Sequence, residues 1–137
     1  MHRPNGFTLP EVLVVISILG ILAGIALPTY QGYIQRSTLS EAFDTLSAFH
    51  LRMDRAFNDN GNYGTAACAV ATPATTANFS FACTLTNAGQ GYQVTATGAG
   101  RMVDYNFAVD DTGARTTTKF AGAAVSANCW LTKAGSC

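Results

Sequence analysis

Apolar residues run almost unbroken from Val12 to Leu27, and Glu11 is the one strongly polar side chain between Phe7 and Leu27. These 21 residues rise about 1.5 Å each and reach roughly 31 Å, the thickness of a bilayer's hydrocarbon core. The pattern predicts a transmembrane helix over 7–27. The run is too long for the apolar core of an ordinary secretory signal peptide, and no small-x-small cleavage site follows it. Pro28 interrupts the pattern without clearly ending the helix, and the rhythm then changes. Tyr30, Tyr33, Ile34, Leu39, Ala42, Phe43, Leu46, Phe49, Met53 and Phe57 recur mostly at steps of three or four, which marks one apolar face of an amphipathic helix. Arg36, Glu41, Asp44, Arg52 and Arg55 lie largely off that face. One helix over 7–57 would be about 75 Å long. It should stop at Asn58-Asp59-Asn60-Gly61-Asn62, a run of turn and cap residues.

Beyond residue 58 the period falls to two. Phe79 to Leu85, Tyr92 to Ala96 and Tyr105 to Val109 alternate, and Arg115 to Phe120 follows a hairpin turn at Asp110-Asp111-Thr112-Gly113. Asn87 to Gly91 reads as the turn between the first two strands. The expected fold is α+β: a long N-terminal helix whose second half packs on a four-stranded antiparallel sheet, with a globular head over 58–137.

Charge sharpens the picture at one point. A carboxylate at the centre of a membrane helix costs roughly 2.5–3.5 kcal/mol on insertion scales, and less near the interface. Glu11 therefore calls for a partner. The polar leader 1–6 carries Arg3, which favours keeping that end in the cytoplasm and the rest of the chain outside. Eight basic residues balance eight acidic ones, and loss of the leader leaves seven against eight. A near-neutral body gives no bulk signal for nucleic acid. Four cysteines in a short exported chain suggest two disulfides formed in an oxidising compartment.

Gly6-Phe7-Thr8-Leu9-x-Glu11 resembles the prepilin processing motif of type IV pilins and related pseudopilins. With the leader and the apolar helix, the resemblance covers residues 1–36. It implies that a membrane peptidase cuts after Gly6 and methylates the new amino terminus at Phe7. Pro10 departs from the aliphatic residue usual there, but proline is tolerated in a first helical turn, where amides lack intrahelical partners. The resemblance extends to the pilin fold, a long helix against an antiparallel sheet. It also gives Glu11 its partner: in a growing filament, the carboxylate of one subunit meets the positive N-terminus at Phe7 of another, an attraction that is strong in low dielectric.

Gly20, Gly24 and Pro28 punctuate the apolar helix at four-residue steps. Gly20-x-x-x-Gly24 reads as a helix-packing face, or as the ordinary glycine content of membrane helices. The resemblance adds a third reading, in which Gly20 and Pro28 bound a segment that loses helicity in assembled pili. Glycine costs about 1 kcal/mol and proline about 3 kcal/mol in a helix interior, so a weak segment is physically reasonable.

Four cysteines allow three connectivities. Local pairing, Cys68 with Cys83 and Cys129 with Cys137, is the expectation adopted, and the tail pair resembles the C-terminal disulfide-bounded loop of many pilins. No Cys-x-x-Cys spacing and no nearby histidine argues for zinc. His50 reads as a packed or surface residue. Asn58-x-Asn60-x-Asn62 lacks the closing acidic ligand of a calcium loop. Asn78-Phe79-Ser80 matches a glycosylation sequon, which carries little weight in a bacterial-type pilin. No catalytic cluster, phosphate loop or paired carboxylates stand out, so neither an enzyme nor a cofactor is expected. Arg101, Arg115, Lys119 and Lys133 fall in the later strands and tail, as an ordinary solvated surface or a stripe for DNA.

Tyr105-x-Phe107-x-Val109-Asp110-x-x-Gly113 and Cys129-Trp130 resemble minor pilins of the PilE kind. The resemblance implies a structural subunit of a type IV pilus serving adhesion, twitching motility or DNA uptake. Its partners would be other pilins, the prepilin peptidase and the assembly platform. It would sit in the inner membrane, C-terminus in the periplasm, and in the extracellular pilus after assembly. The alternatives are a type II secretion pseudopilin and a DNA-binding competence pilin.

Overall fold

The structure is a computed structural model and describes residues 7–137. Gly6, Arg3 and the rest of the leader lie outside the described residues. The elements are α1 (Leu9–Asn60), β1 (Phe79–Thr86), β2 (Gly91–Gly98), β3 (Asn106–Asp110), β4 (Arg115–Phe120) and β5 (Ala123–Ala127). The chain divides into two compact units, one ending at Arg36 and one spanning Ser37–Cys137.

The first unit is helical from Leu9 onward. Its backbone stays helical through Gly20, Gly24 and Pro28. Val12, Leu13, Ile16, Leu19, Ile21 and Ile25 are all exposed, and α1 is long and apolar enough here to cross a membrane. Tyr30 and Tyr33, placed by the sequence on the apolar face, are also exposed.

In the second unit the stripe narrows to Leu39, Ala42, Leu46, Phe49 and Met53, all buried. Their alternating steps of three and four keep them on one side of the helix. They meet Phe79, Tyr92, Val94, Ala96, Phe107 and Val109 from the sheet. Each large side chain so buried contributes roughly 1.5–3 kcal/mol. The sheet order is β1-β2-β3-β4-β5, antiparallel throughout. In β2 the alternation is clean, with Tyr92, Val94 and Ala96 inside and Gln93 and Thr97 exposed.

The sheet has five strands where the sequence predicts four. The fifth, Ala-Ala-Val-Ser-Ala, has a single β-branched residue and no alternation, so it carries no strand signal. It forms because Ala121 (φ 50°) and Gly122 (φ 83°) make a two-residue turn of the kind that fits a twisted hairpin. Helix α1 starts at Leu9 and runs three residues past the expected stop at Phe57. Asn58, Asp59 and Asn60 stay helical, and the chain turns at Gly61 (φ 73°), whose amide donates to the Phe57 carbonyl at 2.7 Å.

Candidate functional site

Two regions carry chemistry, the first turn of α1 and the surface of the head. Thr8 and Glu11 cap the helix. The amides of Glu11 and Val12 donate to the Thr8 carbonyl, and the Glu11 carboxylate accepts from the Thr8 amide at 3.4 Å. This is one arm of a capping box, with the negative charge at the positive end of the helix dipole. Pro10 sits in that first turn, where no intrahelical donor is missed. Phe7 is exposed. A Cβ added at Gly20 or Gly24 would meet nothing within 4 Å, so any close approach at these positions comes from another molecule.

In the head, Cys68 is bonded to Cys83 and Cys129 to Cys137, with Cα separations of 6.3 and 5.9 Å. The first bond ties the loop after α1 to β1, and the second closes the tail. The four cations named above fall into two pairs. Arg101, in the β2–β3 connection, lies at the sheet end where β4 finishes at Phe120, one residue past Lys119. Lys119 is engaged there, 3.2 Å from Asp104 Oδ1 and donating to the Val103 carbonyl at 3.2 Å. Arg115 and Lys133 lie toward the other end, where β4 begins and the tail follows β5.

Arg115 opens β4 and is exposed. Its guanidinium carbon stands 4.5 Å over the Trp130 ring. Trp130 is buried and held from several sides: its indole N–H donates to the Ala108 carbonyl at 2.8 Å, and Phe43 stacks on its ring at 5.0 Å and 10°. Buried Thr117 donates its hydroxyl to the Cys129 carbonyl and accepts from the Leu131 amide. Beside this stack runs a groove of about 240 Å³ lined by Ser47, His50, Leu51, Val109, Gly113, Arg115 and Trp130. In the sequence, the Cys129-Trp130 pair, Arg115 and the motif that holds Val109 and Gly113 fall at this place. The partners of Trp130 come from α1, β3 and β4 and have no local signature.

His50 is a packed residue in a polar cluster at the same end. Its Nδ1 is 2.6 Å from the Tyr92 hydroxyl and its Nε2 is 3.4 Å from Asp54. Burial first, then the Asp54 charge, push the hydroxyls of Tyr92 and Tyr63 above the usual tyrosine value. Burial also pushes the Asp110 carboxyl up, but bonds from the Thr112 hydroxyl and the Ala114 and Thr112 amides outweigh it and hold the group below its usual value. Asn78 donates to Glu41 at 2.9 Å. Asn60 and Asn62 are bonded within a turn. Among the described residues no three His, Cys, Asp or Glu side chains are placed to hold a metal.

Two family models match the chain. The prokaryotic N-terminal methylation motif matches residues 1–27. A model described as type IV minor pilin ComP, DNA uptake sequence receptor, matches residues 28–106. Fimbrial protein EcpC of Eikenella corrodens is 47% identical over 57 residues, 42% of this chain and 37% of that protein. The type IV major alpha-pilin of Moraxella bovis is 46% identical over 56 residues, 41% of this chain and 35% of that protein. The chain thus spans little more than a third of the length of these curated relatives. A solved type IV pilin from Shewanella oneidensis shares the fold, with a TM-score of 0.52 at 22% identity, covering 59% of this chain and 89% of that one.

Proposed function

Because the chain belongs to the type IV minor pilin ComP family of DNA uptake sequence receptors, we propose that it is a pilus subunit whose head binds duplex DNA during uptake. The observation that carries this reading is the family match over residues 28–106, which runs through the head half of α1 and the first two strands. The family is one of pilins rather than of enzymes. A head with balanced charge would hold DNA through a few positioned cations rather than a broad positive field.

The N-terminal region supports assembly. The leader 1–6 is removed after Gly6, and the amine of Phe7 is methylated. Residues 7–27 hold the precursor in the inner membrane with its C-terminus in the periplasm. On assembly, Glu11 exchanges its weak contact with its own Thr8 amide for the charged Phe7 amine of a subunit already in place. Prepilin peptidase, the assembly platform and other pilins are the partners, and the extracellular pilus is the final location. The helix intact through Gly20 and Pro28 is the unassembled form, and its low propensity there would permit melting on assembly.

Likeness to fimbrial proteins favours a second reading, a purely structural subunit serving adhesion or twitching motility. Uptake of labelled duplex by cells lacking this chain separates the two. DNA uptake restored only by re-expression supports the receptor. Normal uptake with loss of motility or adhesion supports the structural subunit.

A further inference from the structure

We infer that Arg115 is the side chain with which this head reads a guanine in duplex DNA. The inference rests on the DNA-binding reading above and extends it to a region the family match does not reach, since that match ends at residue 106.

The geometry around Arg115 is that of an oriented donor. Its guanidinium lies on the Trp130 ring, and Trp130 is fixed by the Ala108 carbonyl, by Phe43 and by the Thr117 bonds on either side of it. A guanidinium stacked on an immobile indole has its plane set before any ligand arrives, while its N–H edges stay free to donate. No carboxylate lies within ion-pair distance of Arg115 among the described residues. Lys119, two turns of pleat along the same strand, is spent on Asp104 and Val103.

Phosphate recognition needs charge within reach, and a mobile lysine supplies it. A fixed planar fork gains most where two acceptors stand side by side, as O6 and N7 of guanine do in the major groove. The setting suits that groove, which admits a two-stranded β-ribbon. Arg115 follows directly on the turn of the β3–β4 hairpin. The two acidic residues of that turn are directed at protein groups. Asp110 accepts from Thr112 and Ala114, and Asp111 accepts from the Tyr92 amide. Arg115 is exposed and lines the adjoining groove with Ser47 and His50.

The test is binding-site selection from a library of duplexes with one randomised helical turn, using the full mature chain in detergent micelles. Wild type, Arg115→Ala and Arg115→Lys are compared, with disulfide content and circular dichroism checking the fold. Wild type should enrich a motif containing a constant G·C pair. Arg115→Ala should lose preference at that pair by about tenfold or more while other positions keep theirs, and Arg115→Lys should not restore it. A variant that weakens all duplexes equally and is rescued by lysine marks a phosphate contact and overturns the assignment. So does Arg115→Ala enriching the unchanged motif. A wild-type chain that binds no duplex overturns the DNA-binding reading itself, a result distinct from either variant outcome.

Discussion

Glu11 has a use within its own chain, and that use is weak. At 3.4 Å from the Thr8 amide the carboxylate supports the helix start, an effect of about 0.5–1 kcal/mol. Glu11→Ala should therefore leave helix, export and processing nearly intact while mature protein stays in the membrane and little appears in sheared fibres. Normal incorporation into fibres would contradict charge pairing in assembly. Asp110 gives a second residue-scale expectation. Its folded carboxyl titrates below the ordinary value of 3.8, so it stabilises the fold above that pH. The contribution fades as pH falls through the folded value. Denaturation midpoints measured from neutral pH down to below pH 4 should fall more steeply for wild type than for Asp110→Asn. The motif residues stand out one by one because each is chemically unusual in its place, an acid at the start of a long apolar run or a glycine just before the run. Trp130 was visible only as a neighbour of Cys129. Its grip on Arg115 depends on β4 lying beside the tail, a long-range fact that no local spacing records.

At the scale of elements, legibility follows periodicity. The stripe from Leu39 to Met53 and the alternation of Tyr92, Val94 and Ala96 marked helix and strands because burial is one-sided in both. Strand β5 was invisible because three of its five residues are alanine and its pairing with β4 is irregular. The expected helix end falls three residues early because asparagine and aspartate are common caps, whereas the turn waits for Gly61. Tyr30 and Tyr33 fit the stripe by spacing but are exposed, since periodicity says which side a residue faces and not whether anything covers that side. The β4–β5 hairpin turns on Ala121 and Gly122, both at positive φ. Gly122→Val should destabilise the head by about 1–3 kcal/mol, because a β-branched residue strains at positive φ. Chemical denaturation would measure it. An unchanged midpoint would show that β5 adds nothing to the fold.

At the scale of the molecule, one helix serves two environments. Up to Arg36 its apolar residues are exposed and ask for lipid or other subunits. From Ser37 on, its apolar face is covered by the chain's own sheet, and two disulfides close the loops that flank it. The family match covers residues 28–106, and the proposed DNA contact at Arg115 lies in the second unit, on a chain whose net charge is close to zero. The equilibrium constant for duplex DNA binding by the full mature chain, measured across salt concentration, tests this account most directly. Binding should appear at low salt, with log K falling linearly as log salt rises. The slope should be about −2 to −4, as expected when roughly two to four phosphates are neutralised. Absence of duplex binding at low salt would contradict the account.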